Sequence, residues 1–182
     1  MTEAARTSAA PQVMPGVTLP EVMPAGAAPV PEWSPTMSEA EADAWLEGSD
    51  YTADVWHGTS EEIGNAIKGE GFRPSERGFY GRGVYLADAE GEASTYTFAF
   101  DKPAVLRAKV RLENPWRGTT ADLEELVRTA GFDPADMAMA ENAQVIPNLV
   151  EAAGHDGLVV EVDRGQRYIS ALRREQVVVI SE

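Results

Sequence analysis

Cysteine is absent from the 182-residue chain, which excludes disulfides, cysteine-based metal sites and thiol catalysis. Histidine is scarce, with only His57 and His155. A zinc site of ordinary ligand type would have to recruit carboxylates, so no catalytic metal is expected. No apolar run approaches the ~20 residues that a membrane helix needs. The N-terminus also lacks the basic start and continuous apolar core of a secretory signal. A soluble protein acting in a cytoplasm, with no membrane partner, is the expectation. Positive charge is short as well: 15 Lys and Arg stand against 30 Asp and Glu, a net charge of −15. Such a chain repels nucleic acid unless a local basic patch intervenes. The one candidate patch is Arg164, Arg167, Arg173 and Arg174, read here as arginines on the solvent faces of a hairpin; nucleic acid is not an expected partner.

What is present divides the chain in two. Residues 1–36 hold seven of the twelve prolines, many alanines and a single basic residue, Arg6. Proline fixes φ and removes donors, and too little apolar surface is available there to offset chain entropy. Residues 1–36 are therefore read as a disordered arm or linker, a simple tail or a tether to a larger assembly, and residues 37–182 as one domain. Ser38 followed by Glu41 fits a capping box, with Gly48 as the helix stop. A short strand, TADVWHG, runs into a helix that Ser60 can cap, with Ile63 and Ile67 on one face. The glycine-rich stretch GFRPSERGFYGRG feeds a strand around Val84–Ala87. AVLRAKVRL alternates charged and apolar residues and reads as a strand. The helices TADLEELVRTA and NLVEAA follow, and then three closing strands, DGLVVEV, RYISAL and QVVVI. Strands outnumber helices without regular alternation, so the fold class is α+β.

Four features bear on chemistry. His57-Gly58-Thr59 ends a strand, where a histidine can meet a ligand and glycine lets it approach the backbone, or where a core histidine is simply satisfied. Gly78, Gly81 and Gly83 lead from a loop into a strand, the reverse of a dinucleotide-fold fingerprint, so that reading is rejected. They form either a flexible turn or a loop that folds over a ligand. Tyr85 and Tyr96 offer π-faces for a planar heteroaromatic ring, or belong to the core. Gln166, Tyr168 and Ser170 alternate along one strand face, which meets a cleft or solvent.

In this order, WHGT at 56–59, GRGVYLAD at 81–88 and a tyrosine eleven residues after Tyr85 resemble the ADP-ribosyltransferase fold of the diphtheria-toxin and poly(ADP-ribose) polymerase branch, including its small bacterial and phage-encoded members. The resemblance covers roughly residues 50–180. It implies split antiparallel β-sheets with flanking helices, NAD⁺ as substrate, no metal, and a protein acceptor in a bacterial host cytoplasm, or virion association through the arm. It implies that His57 binds the adenosine ribose, that Gly58 and Thr59 approach the ligand, and that Tyr85 and Tyr96 sandwich the nicotinamide. Arg73, Arg77 or Arg82 would meet the pyrophosphate. Two positions depart from the family pattern. Ala93 stands where the family often has serine, with Ser94 as a substitute donor. Anchored on Gln176-Val177, Tyr168 falls where the family has its catalytic glutamate, and Gln166 becomes the third residue if a bulge shifts the register; Glu161 and Glu175 fit less well. The resemblance then implies mono-ADP-ribosylation without polymer. A catalytically inactive NAD⁺-binding or assembly module is the alternative, and RNA 2′-phosphotransferase chemistry a more distant one. His155, in GHDG, is read as a turn residue.

Overall fold

The computed structural model, which describes residues 30–76, 78–162 and 165–181, forms eight strands. They are β1 (Thr36–Met37), β2 (Val55–Ser60), β3 (Val84–Ala87), β4 (Pro103–Val110), β5 (Trp116–Thr119), β6 (Gly157–Glu161), β7 (Arg167–Ala171) and β8 (Val177–Ile180). Five α-helices accompany them: α1 (Glu39–Trp45), α2 (Glu61–Glu70), α3 (Glu90–Thr95), α4 (Thr120–Thr129) and α5 (Val145–Ala152). The protein is α+β, and its strands join in one sheet of order β1-β8-β4-β2-β3-β7-β6-β5.

The sheet is mixed, which corrects the expectation of antiparallel pairing throughout. β1 runs parallel to β8, and β5 runs parallel to β6. A parallel neighbour needs a long crossover, and the chain from α4 through α5 supplies it between β5 and β6. The centre of the sheet is its weakest seam. β2 and β4 pair over six residues, whereas β2 and β3 meet only at Trp56 and Ala87. The main core nevertheless draws on both sides of that seam, with Val55, Leu106 and Val179 from one side and Val84, Leu86 and Ile169 from the other.

Local signals set the helix ends. Ser38 and Glu41 form the expected capping box before α1, Ser60 accepts from the Ile63 amide at the start of α2, and Thr119 with Asp122 forms a second box before α4. α1 packs Ala42, Trp45 and Leu46 on Met37, Val178 and Ile180. α4 and α5 cover a second cluster built on Leu158 and Val160. The alternation of β4 is realised: Leu106, Ala108 and Val110 enter the core, while Lys109, though buried, is paired with Asp54 at 2.8 Å. A buried ammonium needs such a partner. No helix among the described residues is long and apolar enough to cross a membrane.

Residues before 37 already contribute to the sheet and its core. Trp33 donates its indole N–H to the Val177 carbonyl at 3.1 Å, and Thr36 belongs to β1. Tryptophan and methionine beside β8 outweigh the surrounding prolines because they bury apolar surface. Residues 1–29, the rest of the expected arm, lie outside the described residues.

The basic patch is offset by acids. Arg167 pairs with Asp88, Arg173 with Glu151 and Arg174 with Glu175; Arg164 lies outside the described residues. His155 sits in the turn after α5, where its Nδ1 meets the Asn114 carbonyl at 3.1 Å.

Candidate functional site

The seam between β2 and β3 opens the site. Where the two strands part, the His57 ring bridges them, with Nδ1 2.8 Å from the Tyr85 carbonyl oxygen. A carbonyl only accepts, so Nδ1 carries the proton, and in the neutral ring Nε2 is left as an acceptor. The edge of Phe72 meets this ring at 5.2 Å and 89°. Burial pushes the His57 pKa below its ordinary value, and the hydrogen bond to Tyr85 opposes that shift without reversing it.

The sign of the linked stability follows. In the window from pH 6.5 down to the lowered folded value, the unfolded chain binds the proton that folded His57 refuses. The stabilisation tied to neutral His57 is complete above pH 6.5 and disappears as pH falls through the folded pKa. A His57→Asn variant is expected to lose less stability than the wild type between pH 7.5 and pH 5.5. Urea midpoints at both pH values measure this; equal losses would contradict it.

The loop that precedes β3 is pinned. Gly81 has φ +79°, and a Cβ there would sit 2.4 Å from the Ala143 carbonyl, so only glycine fits. Tyr85 closes the loop from the strand side. Its hydroxyl donates to the Gly81 carbonyl at 2.5 Å and accepts from the Tyr80 amide at 2.9 Å. The Tyr80 and Tyr85 rings stack at 6.0 Å and 19°. Burial pushes the Tyr85 hydroxyl pKa well up, which keeps it a donor.

From the opposite side comes α3. A Cβ on Gly58 would lie 2.0 Å from the Ala93 carbonyl, so this glycine admits the backbone of α3 against β2. Tyr96, the residue ending α3, is 57% exposed and meets the Tyr168 ring edge-on at 6.2 Å. Ser94 donates its hydroxyl to the Gly91 carbonyl within the same helix.

His57, Gly58, Tyr85, Tyr96 and Tyr168 thereby come together around one cavity of about 540 Å³, with Tyr80 also in its wall. A second cavity, of about 370 Å³, shares His57 and Tyr85 with the first and includes Arg73. Arg73 is exposed and paired with Glu70 at 2.6 Å. Arg82 is exposed and gives its amide to the Ala143 carbonyl, and Arg77 lies outside the described residues. Thr59 is 3% exposed, with its methyl group beside Gly64 of α2, and so is packed under that helix. Gln166, just before β7, turns its amide to Glu92 of α3 at 3.1 Å, and the Tyr168 hydroxyl donates to the same carboxylate.

Sequence reasoning missed two of these residues. Tyr80 sits in a loop with no periodicity to betray its ring contact. Glu92 is one acid among many, although its place four residues before Tyr96 puts both on one helix face.

No family model and no curated protein matches the chain. Among solved structures, it is similar to a crystal structure of an anti-CRISPR protein, at 15% identity over 72% of this chain and 98% of the other, with a TM-score of 0.40. It is also similar to the M. tuberculosis MbcT–MbcA toxin–antitoxin complex, at 12% identity over 77% of this chain and 89% of the other, with a TM-score of 0.41.

Proposed function

We propose that this protein is an NAD⁺-dependent mono-ADP-ribosyltransferase of the diphtheria-toxin and poly(ADP-ribose) polymerase-like branch, which releases nicotinamide and transfers ADP-ribose to a protein acceptor. The observation that carries the reading is the pair of cavities meeting at His57 and Tyr85. A bent dinucleotide needs two chambers joined at a polar hinge. The larger chamber falls in the size range of small-ligand sites, roughly 300–1,000 Å³, and its aromatic walls suit nicotinamide. The smaller, with Arg73 at its edge, suits the adenosine side. The narrow seam at Trp56 and Ala87 also supports the split-sheet architecture that this branch implies.

In this reading the neutral His57 ring accepts a hydroxyl proton of the adenosine ribose at Nε2, because Nδ1 is engaged by Tyr85. Tyr85 and Tyr96 hold the nicotinamide by their faces. Holding NAD⁺ in a reactive geometry supplies much of the rate, since the glycosidic bond already has a good leaving group. The exposed Phe79 ring at the cavity wall gives an acceptor protein an apolar foothold.

Incubation with NAD⁺ labelled in its adenylate portion, together with bacterial lysate, tests the proposal. Free nicotinamide and a labelled protein band are expected, without a polymer ladder. A second reading, NAD⁺ binding without turnover, is favoured by Tyr168 at the family's glutamate position; calorimetric binding without nicotinamide release would select it. Neither binding nor release would sink both.

A further inference from the structure

The family's catalytic glutamate belongs on the closing strand, yet the two residues that occupy its neighbourhood here both point to a carboxylate on another element. Tyr168 donates its hydroxyl to Glu92 Oε1, and the Gln166 side-chain amide donates to Glu92 Oε2 at 3.1 Å. The Tyr168 ring is fixed edge-on against Tyr96, and Tyr96 and Tyr168 both line the larger cavity. Glu92 is half-buried, next in sequence to Ala93 and bonded to Tyr168, both of which line that cavity. Two donors, Tyr168 of β7 and Gln166 just before it, thus hold one α3 carboxylate in place beside the two tyrosines.

From this juxtaposition we infer that Glu92 is the catalytic carboxylate of the proposed reaction, and that Tyr168 and Gln166 are its positioning residues. The inference rests on the NAD⁺-cleaving reading above. A carboxylate has about four lone-pair sites, and the two donors occupy two of them. The others are free to accept from the hydroxyl of the nicotinamide ribose and from the incoming acceptor. The bond between ribose C1′ and the nicotinamide nitrogen breaks, and its electron pair neutralises the pyridinium. The acceptor's lone pair forms the new bond to C1′. Its proton passes to Glu92 and then to water, so that one proton is released for each nicotinamide.

This arrangement gives Tyr168 a role that the position alone did not. Burial and the hydrogen bond to Glu92 both raise its pKa, so the phenol remains a donor at neutral pH. It does not replace the missing acid; it anchors the acid supplied by α3.

The test compares the full-length wild type with Glu92→Gln, Glu90→Gln and Tyr168→Phe. Nicotinamide release is measured by chromatography, and binding by calorimetry with a carbocyclic NAD⁺ analogue that cannot lose nicotinamide. Glu92→Gln should lower release about 100-fold, the lower range for loss of a general acid–base group, with analogue affinity within about threefold. Glu90→Gln, on the same helix, should match the wild type. Tyr168→Phe keeps the ring and removes the anchor, and should lower kcat about tenfold with little change in KM, the loss expected for a hydrogen bond to a charged group. It serves as the second measurement if Glu92→Gln melts early. An active wild type whose rate survives Glu92→Gln, or survives Tyr168→Phe, overturns the assignment while leaving the NAD⁺ reading intact. A wild type that releases no nicotinamide overturns the reading itself.

Discussion

In the proposed reaction, Tyr85→Ala is expected to reduce nicotinamide release about 1000-fold, because one ring performs two tasks. It is a wall of the larger cavity, and its hydroxyl closes the loop onto Gly81 and Tyr80. Burying an aromatic side chain against a ligand and its neighbours is worth about 1.5–3 kcal/mol, and favourable ring geometry adds about 1 kcal/mol. At roughly 1.4 kcal/mol per factor of ten, those two contributions alone approach three decades. Tyr85→Phe separates the tasks. It keeps the wall and loses the two hydroxyl contacts, so a loss of about tenfold is expected, the effect of about 1.4 kcal/mol in hydrogen bonding. Steady-state rates and thermal melts of both variants decide the matter. If Tyr85→Ala kept turnover within about threefold of wild type, the nicotinamide could not be lying against this ring.

β4 was legible because Leu106, Ala108 and Val110 alternate with Arg107 and Lys109; the three apolar side chains enter the core, and Lys109 is buried only as the partner of Asp54. α1 and α2 were legible because Ser38 and Ser60 cap them. β5 was not. It has only four residues, WRGT, with a glycine and an arginine, and it exists because β6 offers an edge and α4 follows at once. β1 was concealed by the prolines around it, and its two residues are held by β8. A two-residue strand carries no period to read.

That His57, Tyr85 and Tyr96 converge on one cavity was legible from order and spacing. The shared face of Gln166 and Tyr168 was legible from strand alternation. What that face meets was not, because contact between β7 and α3 depends on tertiary packing, including that of Gly58 on Ala93, two residues far from β7 in the chain. Thr59 shows the same limit. A threonine after His-Gly reads as a ligand contact, but a strand that ends directly in a helix places it beneath that helix.

Gly58→Ala therefore gives the second large effect, and it acts through backbone. The added Cβ would stand 2.0 Å from the Ala93 carbonyl oxygen and 3.0 Å from its carbon. A flexible side chain could swing aside, but a helix carbonyl cannot, so α3 must move bodily. Overpacking of this kind costs about 3 kcal/mol at the upper end of its usual range, which in a chain of this size lowers Tm by roughly 6–12 °C. α3 also carries Glu92 and Tyr96. A displacement of ~1 Å in positioning groups can cost about 100-fold in rate, so turnover should fall even at temperatures where the variant is folded. Gly91→Ala is the control in the same helix. Nothing lies within 4 Å of its added Cβ, and replacing a helical glycine with alanine should raise stability by about 0.5–1 kcal/mol. Opposite signs from two glycine-to-alanine changes 33 positions apart would show that the site depends on α3 lying directly on the bare backbone of β2. A Gly58→Ala protein melting with the wild type would show that α3 stands further off, and with it Glu92.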